Sequence, residues 1–307
     1  MLKVVCEKGI TFEFIEGRGW QLLSTKTPVT ANDPMKAAAA YGVRPVLLAE
    51  DILNDGSRTL FLPSSPGKSP FELQPSDLTQ LIFNRWNSPS LPHAVSMNYL
   101  LGAVVYHCKK LAEAYSQITQ GYAKAVHLHN EQQPSDPSSE QFWAGNRVEP
   151  FYEFEAFIAS VRRAYDSMRY IIWQALVSNK GSTPSSFPDT LKASTGLPDP
   201  LKARLYRSWA EFGEKATAYR DCILHYVPIG GGWSNVRVYR LSGGIWTCSV
   251  LLPDNPEARS IKKFTYNSNT DALSYSWELA NEIVDVAHEL ISATPELRPW
   301  LDEIQPD

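Results

Sequence analysis

The chain has 307 residues and a formal net charge of −4, with a sequence pI near 5.9. Hydrophobic residues make up 43% and charged residues 20%, which is ample material for a core and excludes global disorder. An acidic average argues against a polyanion binder over the whole surface, while leaving room for a local basic face.

The first 90 residues differ from the rest. Short β-branched and aromatic runs at 2–6, 10–15, 20–23, 45–48 and 59–62 are separated by Gly, Pro, Asn and Asp, the pattern of strands joined by turns. Thr11-Phe12-Glu13-Phe14-Ile15-Glu16 alternates, as a half-buried strand does. Residues 37–40 fit a short helix, 63–75 a Pro/Ser-rich loop, and 78–86 another short helical piece.

Long helices begin near His93. Met97, Leu100, Leu101, Val104, Cys108, Leu111, Tyr115, Ile118, Tyr122 and Ala125 recur at spacings of three and four, so one apolar stripe faces a partner throughout. A polar loop with Pro134 and Pro137 ends it. A second stripe runs through Phe154, Phe157, Val161, Tyr165, Met168, Ile172 and Ala175. A third follows Pro198-Asp199-Pro200, where Asp199 can cap and Pro200 can occupy the first turn. It carries Leu201, Leu205, Trp209, Phe212, Ala216, Tyr219 and Ile223.

After Gly230-Gly231-Gly232, a flexible hinge by composition, residues 236–241 and 245–252 flank Ser242-Gly243-Gly244 as a hairpin does. Residues 261–266 fit a third strand. A fourth helical stripe runs through Leu273, Trp277, Leu279, Ile283, Val286, Ala287, Leu290 and Ile291. The expected fold class is therefore α+β: a mainly α-helical antiparallel bundle of four long helices, a β-rich N-terminal region (1–90), and a β-hairpin inserted near 236–266 of the helical part (91–307). The hairpin is expected to pack on the N-terminal strands.

No apolar run approaches the ~18 residues of a membrane span, and Met1-Leu2-Lys3-Val4-Val5-Cys6 reads as a strand and not a signal peptide. The expectation is a soluble, cytoplasmic protein with no membrane partner. Cys6, Cys108, Cys222 and Cys248 are dispersed, without the paired spacing of a zinc site or disulfide framework. His127 and His129 point to different faces of one helix. No metal and no cofactor is expected.

The segment Tyr219-Arg220-Asp221-Cys222-Ile223-Leu224-His225-Tyr226-Val227-Pro228 carries the most chemistry. Asp221 and His225 stand at i, i+4 on one helix face, so the carboxylate can accept from the imidazole and orient it. Arg220 lies about 140° around the axis from His225, at ~100° per residue. A long side chain, a loosened last turn, or a second copy of the helix across a two-fold axis would bring both to one substrate. The structural reading makes Arg220 and Asp221 surface charges and His225 a helix-end cation.

Arg-Asp-x-x-x-His inside a bundle of long helices resembles the R-x4-6-H signature of HEPN domains (higher eukaryotes and prokaryotes nucleotide-binding). The preceding helix, from Glu155-x-Phe157-Ile158 through Arg162-Arg163-Ala164-Tyr165-Asp166, is similar to the HEPN helix hairpin. The resemblance covers roughly residues 93–293. It implies a metal-independent endoribonuclease, a homodimer through the bundle, of the kind found in toxins and defence proteins. Carried over, the catalytic residues are Arg220 on the scissile phosphate, His225 as general acid–base, and Asp221 positioning the pair. The 2′-hydroxyl would attack its own phosphodiester and leave a 2′,3′-cyclic phosphate, so DNA would not be cut. One branch of the family has a regulatory tyrosine two residues past the histidine; here Val227 holds that place. The alternative within the family is a non-catalytic nucleotide-binding or protein-interaction scaffold. Outside it stands a helical interaction module whose β-rich N-terminal part recognises a partner protein.

Arg162, Arg163 and Arg169 with Lys109, Lys110 and Lys124 form either a basic strip along an RNA path or ordinary solvated helix faces interspersed with acids. Glu155 and Asp166 are expected in structural ion pairs, and His107 as a packed histidine. Gly230-Gly231-Gly232 lacks the Lys-Ser/Thr of a P-loop.

Overall fold

The computed structural model describes residues 2–6, 10–15, 19–24, 43–51, 56–63, 68, 72–73, 92–129, 140–143, 147–177, 184–231, 236–241 and 245–294. The expected short helices at 37–40 and 78–86 lie outside these residues. The architecture is mainly helical α+β, with the strands antiparallel. Strands β1 (Leu2–Cys6), β2 (Ile10–Ile15) and β3 (Gly19–Ser24) pair in chain order, and β4 (Val43–Asp51) pairs with β5 (Gly56–Pro63).

Helix α1 (Pro92–His129) packs along α2 (Glu149–Leu176). The three-and-four spacing puts Met97, Leu101, Val104, Cys108, Leu111 and Tyr115 on one side of α1, where all are at most 1% exposed. They meet Phe154, Phe157, Ile158, Val161, Tyr165 and Met168 of α2 in one core. Each such side chain contributes roughly 1.5–3 kcal/mol by leaving water. Helix α6 (Ala272–Ala293) closes the core through Leu273, Trp277, Leu279, Ile283, Val286, Ala287 and Leu290.

Between them the chain departs from the single long helix expected over 201–223. A short helix α3 (Phe187–Ala193) comes first, capped by Ser186, whose side chain accepts from Asp189 N at 3.2 Å. Next is α4 (Asp199–Ser208), then a π-helical turn at Trp209–Gly213, then α5 (Glu214–His225). The turn is possible because residue 213 is glycine: a Cβ there would sit 2.5 Å from the Trp209 ring. The cap of α4 is Pro198, with no side-chain hydrogen bond, so Asp199 is the first helical residue and not the cap.

Past α5 the first two residues of the triple glycine are held in regular structure, a 3-10 turn at Ile229–Gly231, and a Cβ on Gly230 would lie 2.5 Å from the Phe151 ring. Strands β7 (Val236–Leu241) and β8 (Ile245–Val250) form the expected hairpin. The third strand of that sheet is β6 (Glu140–Trp143), paired with β7 from the other side. Residues 261–266 do not add a strand. Ile261–Lys263 is a 3-10 turn in a segment folded around Asp254 and Asn255, whose side chains accept from Ser268 N and Thr265 N.

One polar junction ties the helices to the hairpin. The Asp271 carboxylate accepts from Tyr115 Oη (2.8 Å), Val250 N (2.9 Å), Ser249 Oγ (3.1 Å) and Ser274 N (2.8 Å). It is thus the N-cap of α6 and the anchor of α1 and β8 together. Burial, helped by the Asp271 charge, pushes the Tyr115 hydroxyl well above its usual range.

Candidate functional site

Helix α5 ends where Tyr226 leaves helical geometry, and the backbone N–H groups of Tyr226 and Val227 both donate to Cys222 O at 3.0 Å. Pro228 cannot continue the ladder. Arg220, Asp221 and His225 therefore stand on the last two turns of a helix whose end opens to solvent.

Asp221 binds Arg220 and not His225. Arg220 Nη1 donates to Asp221 Oδ1 at 2.7 Å, with the two side chains 36% and 46% exposed. At such exposure the pair is worth at most about 1 kcal/mol, so a substrate anion can compete for the guanidinium. The i, i+4 bond expected between Asp221 and His225 is not made. His225 is exposed and has no hydrogen-bond partner among the described residues. Its ring meets the edge of Tyr226, with centroids 6.2 Å apart.

Asp221 also lines a cleft of about 460 Å³ that α5 shares with α3 and the turn at Pro256–Ala258. Trp209 and Cys222 stand on the helical side, Glu257 and Arg259 on the turn side, and Tyr226 at the end. Burial raises the Cys222 thiol above its ordinary value, against the Val227 backbone and the nearby Arg259 charge, which favour the thiolate. Neither Arg220 nor His225 lines the cleft. The structure thus gathers Arg220 with Asp221, and His225 with Tyr226, without bringing all three to one point within a single chain.

Tyr226 also meets Arg259, whose guanidinium carbon lies 4.3 Å from the ring centroid. Sequence reasoning missed Arg259, because nothing local to residues 254–263 indicates that the fold returns them to the end of α5. The left-handed backbone at Arg259 (φ 56°) is a tertiary feature too.

Of the basic strip, Arg162, Arg169 and Lys110 are paired within the chain. Arg162 bonds Asp166 (3.2 Å) and Thr217 Oγ1 (3.3 Å), with its guanidinium 5.5 Å from the Trp209 ring centroid. Arg169 donates to the carbonyls of Pro184 and Ser185, and Lys110 pairs with Glu113 at 2.7 Å. Arg163 is exposed, and the Lys124 side chain lies outside the described residues. Asp166 sits in ion pairs with Arg162 and Arg169. Glu155 instead accepts from Ile229 N, and burial raises its carboxyl above the usual range. His107 is half-buried, its Nδ1 2.9 Å from Glu153 Oε2.

Among the described residues no three His, Cys, Asp or Glu side chains are grouped to hold a metal ion, and no helix is long and apolar enough to cross a membrane. Cys108, Cys222 and Cys248 are free and buried. No family model matches the chain, and no curated protein or solved structure matches it either.

Proposed function

We propose that this chain is a HEPN-like, metal-independent endoribonuclease, cytoplasmic, working as a homodimer in a toxin or defence setting. In this reading the four helical stretches are an antiparallel bundle. Residues 1–90 are a β-rich N-terminal region, and the 236–250 hairpin is an insertion. The observation that carries the proposal is His225: a histidine at an open helix end, five positions after an arginine, with its ring nitrogens unclaimed among the described residues. Exposed and unpaired, the imidazole keeps both ring nitrogens available to another molecule.

The chemistry follows from these groups. Arg220 exchanges its weak pair with Asp221 for the scissile phosphate, where a guanidinium fork stabilises the charge gathered on the equatorial oxygens. His225 of the facing copy takes the proton from the 2′-hydroxyl as its oxygen attacks phosphorus. The P–O5′ bond breaks, and the departing 5′-oxygen takes a proton from an imidazolium. Products are a 2′,3′-cyclic phosphate and a 5′-hydroxyl. Asp221 holds Arg220 in its rotamer until substrate arrives. Dimerisation is needed because one chain keeps Arg220 and His225 on separate sides of α5.

The Arg220–Asp221 pair favours the second reading, a non-catalytic nucleotide-binding or protein-interaction scaffold in which the arginine stays engaged. Incubating a mixed single-stranded RNA and its DNA counterpart with purified protein in EDTA separates the two. The nuclease reading predicts RNA cutting, no DNA cutting, and loss of cutting in both Arg220→Ala and His225→Ala. Intact RNA with all three proteins assigns the chain to the scaffold reading.

A further inference from the structure

We infer that Arg259 is the guanidinium that grips a substrate phosphate beside His225, at the rim that Arg259 and Tyr226 form. This rests on the ribonuclease reading and adds to it a residue on which the motif is silent.

Four observations point there. First, Arg259 is exposed and has no carboxylate within ion-pair distance among the described residues, so it can take a phosphate without giving up an ion pair, as Arg220 must. Second, Arg259 is placed against the motif: its guanidinium covers the face of Tyr226 at 4.3 Å, and that ring in turn meets His225. Stacking fixes the plane of a guanidinium while leaving its N–H edge free to donate, the geometry that suits a phosphate. Third, its backbone is left-handed at φ 56°, ψ 22°, closing the turn at Pro256–Ala258 through Arg259 N to Pro256 O at 3.3 Å. A long side chain in that region costs on the order of 1 kcal/mol, where glycine would be free. Such strain is tolerated where a side chain is needed.

Fourth, the surrounding charge says where the anion sits. Glu214, Asp221 and Glu257 line the cleft and repel a polyanion from its interior. Arg259 lines the same cleft at its Tyr226 end, and His225, which is not part of the lining, lies against the Tyr226 ring. A phosphate is therefore held at the rim, and the backbone of a single strand crosses the end of α5 without entering the cleft.

The test uses the full chain and a mixed-sequence single-stranded oligonucleotide whose 2′-oxygens are methylated, so that it binds without being cut. Binding is measured over a salt series. Arg259→Gly is the primary variant, because glycine accepts the left-handed backbone and removes the guanidinium without adding strain; thermal unfolding checks that it folds. The expected result is about tenfold weaker binding, with a slope of log affinity against log salt shallower by about 0.7, the loss of one single-strand phosphate contact. Arg259→Lys, which keeps the charge, recovers part of both. In cleavage assays Arg259→Gly raises KM more than it lowers kcat.

Binding within twofold of wild type and an unchanged slope would overturn the inference. If RNA is nevertheless cut in an Arg220- and His225-dependent way, the ribonuclease reading survives that failure. If the wild-type chain binds through Arg259 but cuts nothing, the nuclease reading falls and the phosphate contact stands. No binding by the wild-type chain at low salt sinks the inference whatever the cutting assay shows.

Discussion

The junction at Asp271 and the rim at His225 use similar side chains to opposite ends. At the junction a carboxylate accepts four hydrogen bonds from three elements, and the Tyr115 hydroxyl further accepts from Val250 N and Leu273 N at 3.2 and 3.1 Å. At the rim an imidazole and a guanidinium meet an aromatic ring and make no hydrogen bond through their side chains among the described residues, and an arginine is held by one exposed neighbour. Polar groups saturated by their own chain fix the fold; polar groups left with capacity are free for another molecule. The contrast is not absolute, since the buried Ser276 Oγ and Trp277 Nε1 of α6 find no partner among the described residues.

The contrast breaks most visibly at the junction. Asp271→Ala removes the cap of α6, orphans the Tyr115 hydroxyl donor and leaves Val250 N only its longer bond to Tyr115 Oη, and is expected to cost about 3–4 kcal/mol. Urea unfolding reads it directly, and a loss under about 1 kcal/mol would mean that these bonds are readily replaced by water. Next in size is Gly213→Ala, which drives a methyl into the Trp209 ring and is expected to cost about 1–3 kcal/mol. An unchanged midpoint there would show that the π turn relaxes to ordinary helix. Ser186→Ala removes the cap of α3, for about 1 kcal/mol, with Ser186→Asp expected to restore most of it.

Smaller still is the pH effect at Glu278. Its carboxyl is raised above the ordinary value by desolvation alone. A raised carboxyl favours folding while it is protonated, and this contribution is lost as pH climbs through the folded value. Glu278→Gln should therefore flatten the decline in stability just above the usual carboxylate range and raise the melting midpoint slightly at pH 7. A variant that melts lower at pH 7 but not at pH 4 would contradict this. The rim variants should move stability least: Arg220→Ala and His225→Ala within about 0.5 kcal/mol of wild type, since Arg220 makes only one solvent-screened ion pair and His225 is exposed. A large loss in either would transfer the rim to the structural side of the comparison.

Periodicity carried α1, α2 and α6, because their stripes face one continuous core and burial follows spacing: Met97, Phe157 and Ile283 are each fully buried. It failed between 201 and 223, where the apolar spacing continues through Trp209 and Phe212 although the backbone switches to a π turn. That switch depends on a ring packing over Gly213, and an i, i+4 count does not register it. Ser186-Phe187-Pro188-Asp189 does carry the signal of a helix start, a serine cap with an acid three residues on, but the helix is too short for an apolar stripe to mark it. The third strand at 140–143 is set by its pairing to β7 far along the chain. At the site, Arg220, Asp221 and His225 were legible as a spacing. The partner of Asp221 was not, since the i, i+4 geometry that predicts His225 competes with a flexible arginine next door. Arg259 enters only through the fold.

The measurement that tests the central claim most directly is the chemistry of the ends left on RNA, read by mass spectrometry after incubation in EDTA with wild-type chain and with His225→Ala. The account predicts 2′,3′-cyclic phosphate and 5′-hydroxyl ends from the wild type and intact RNA from the variant. Uncut RNA in both samples, or cutting that His225→Ala leaves unchanged, would contradict it.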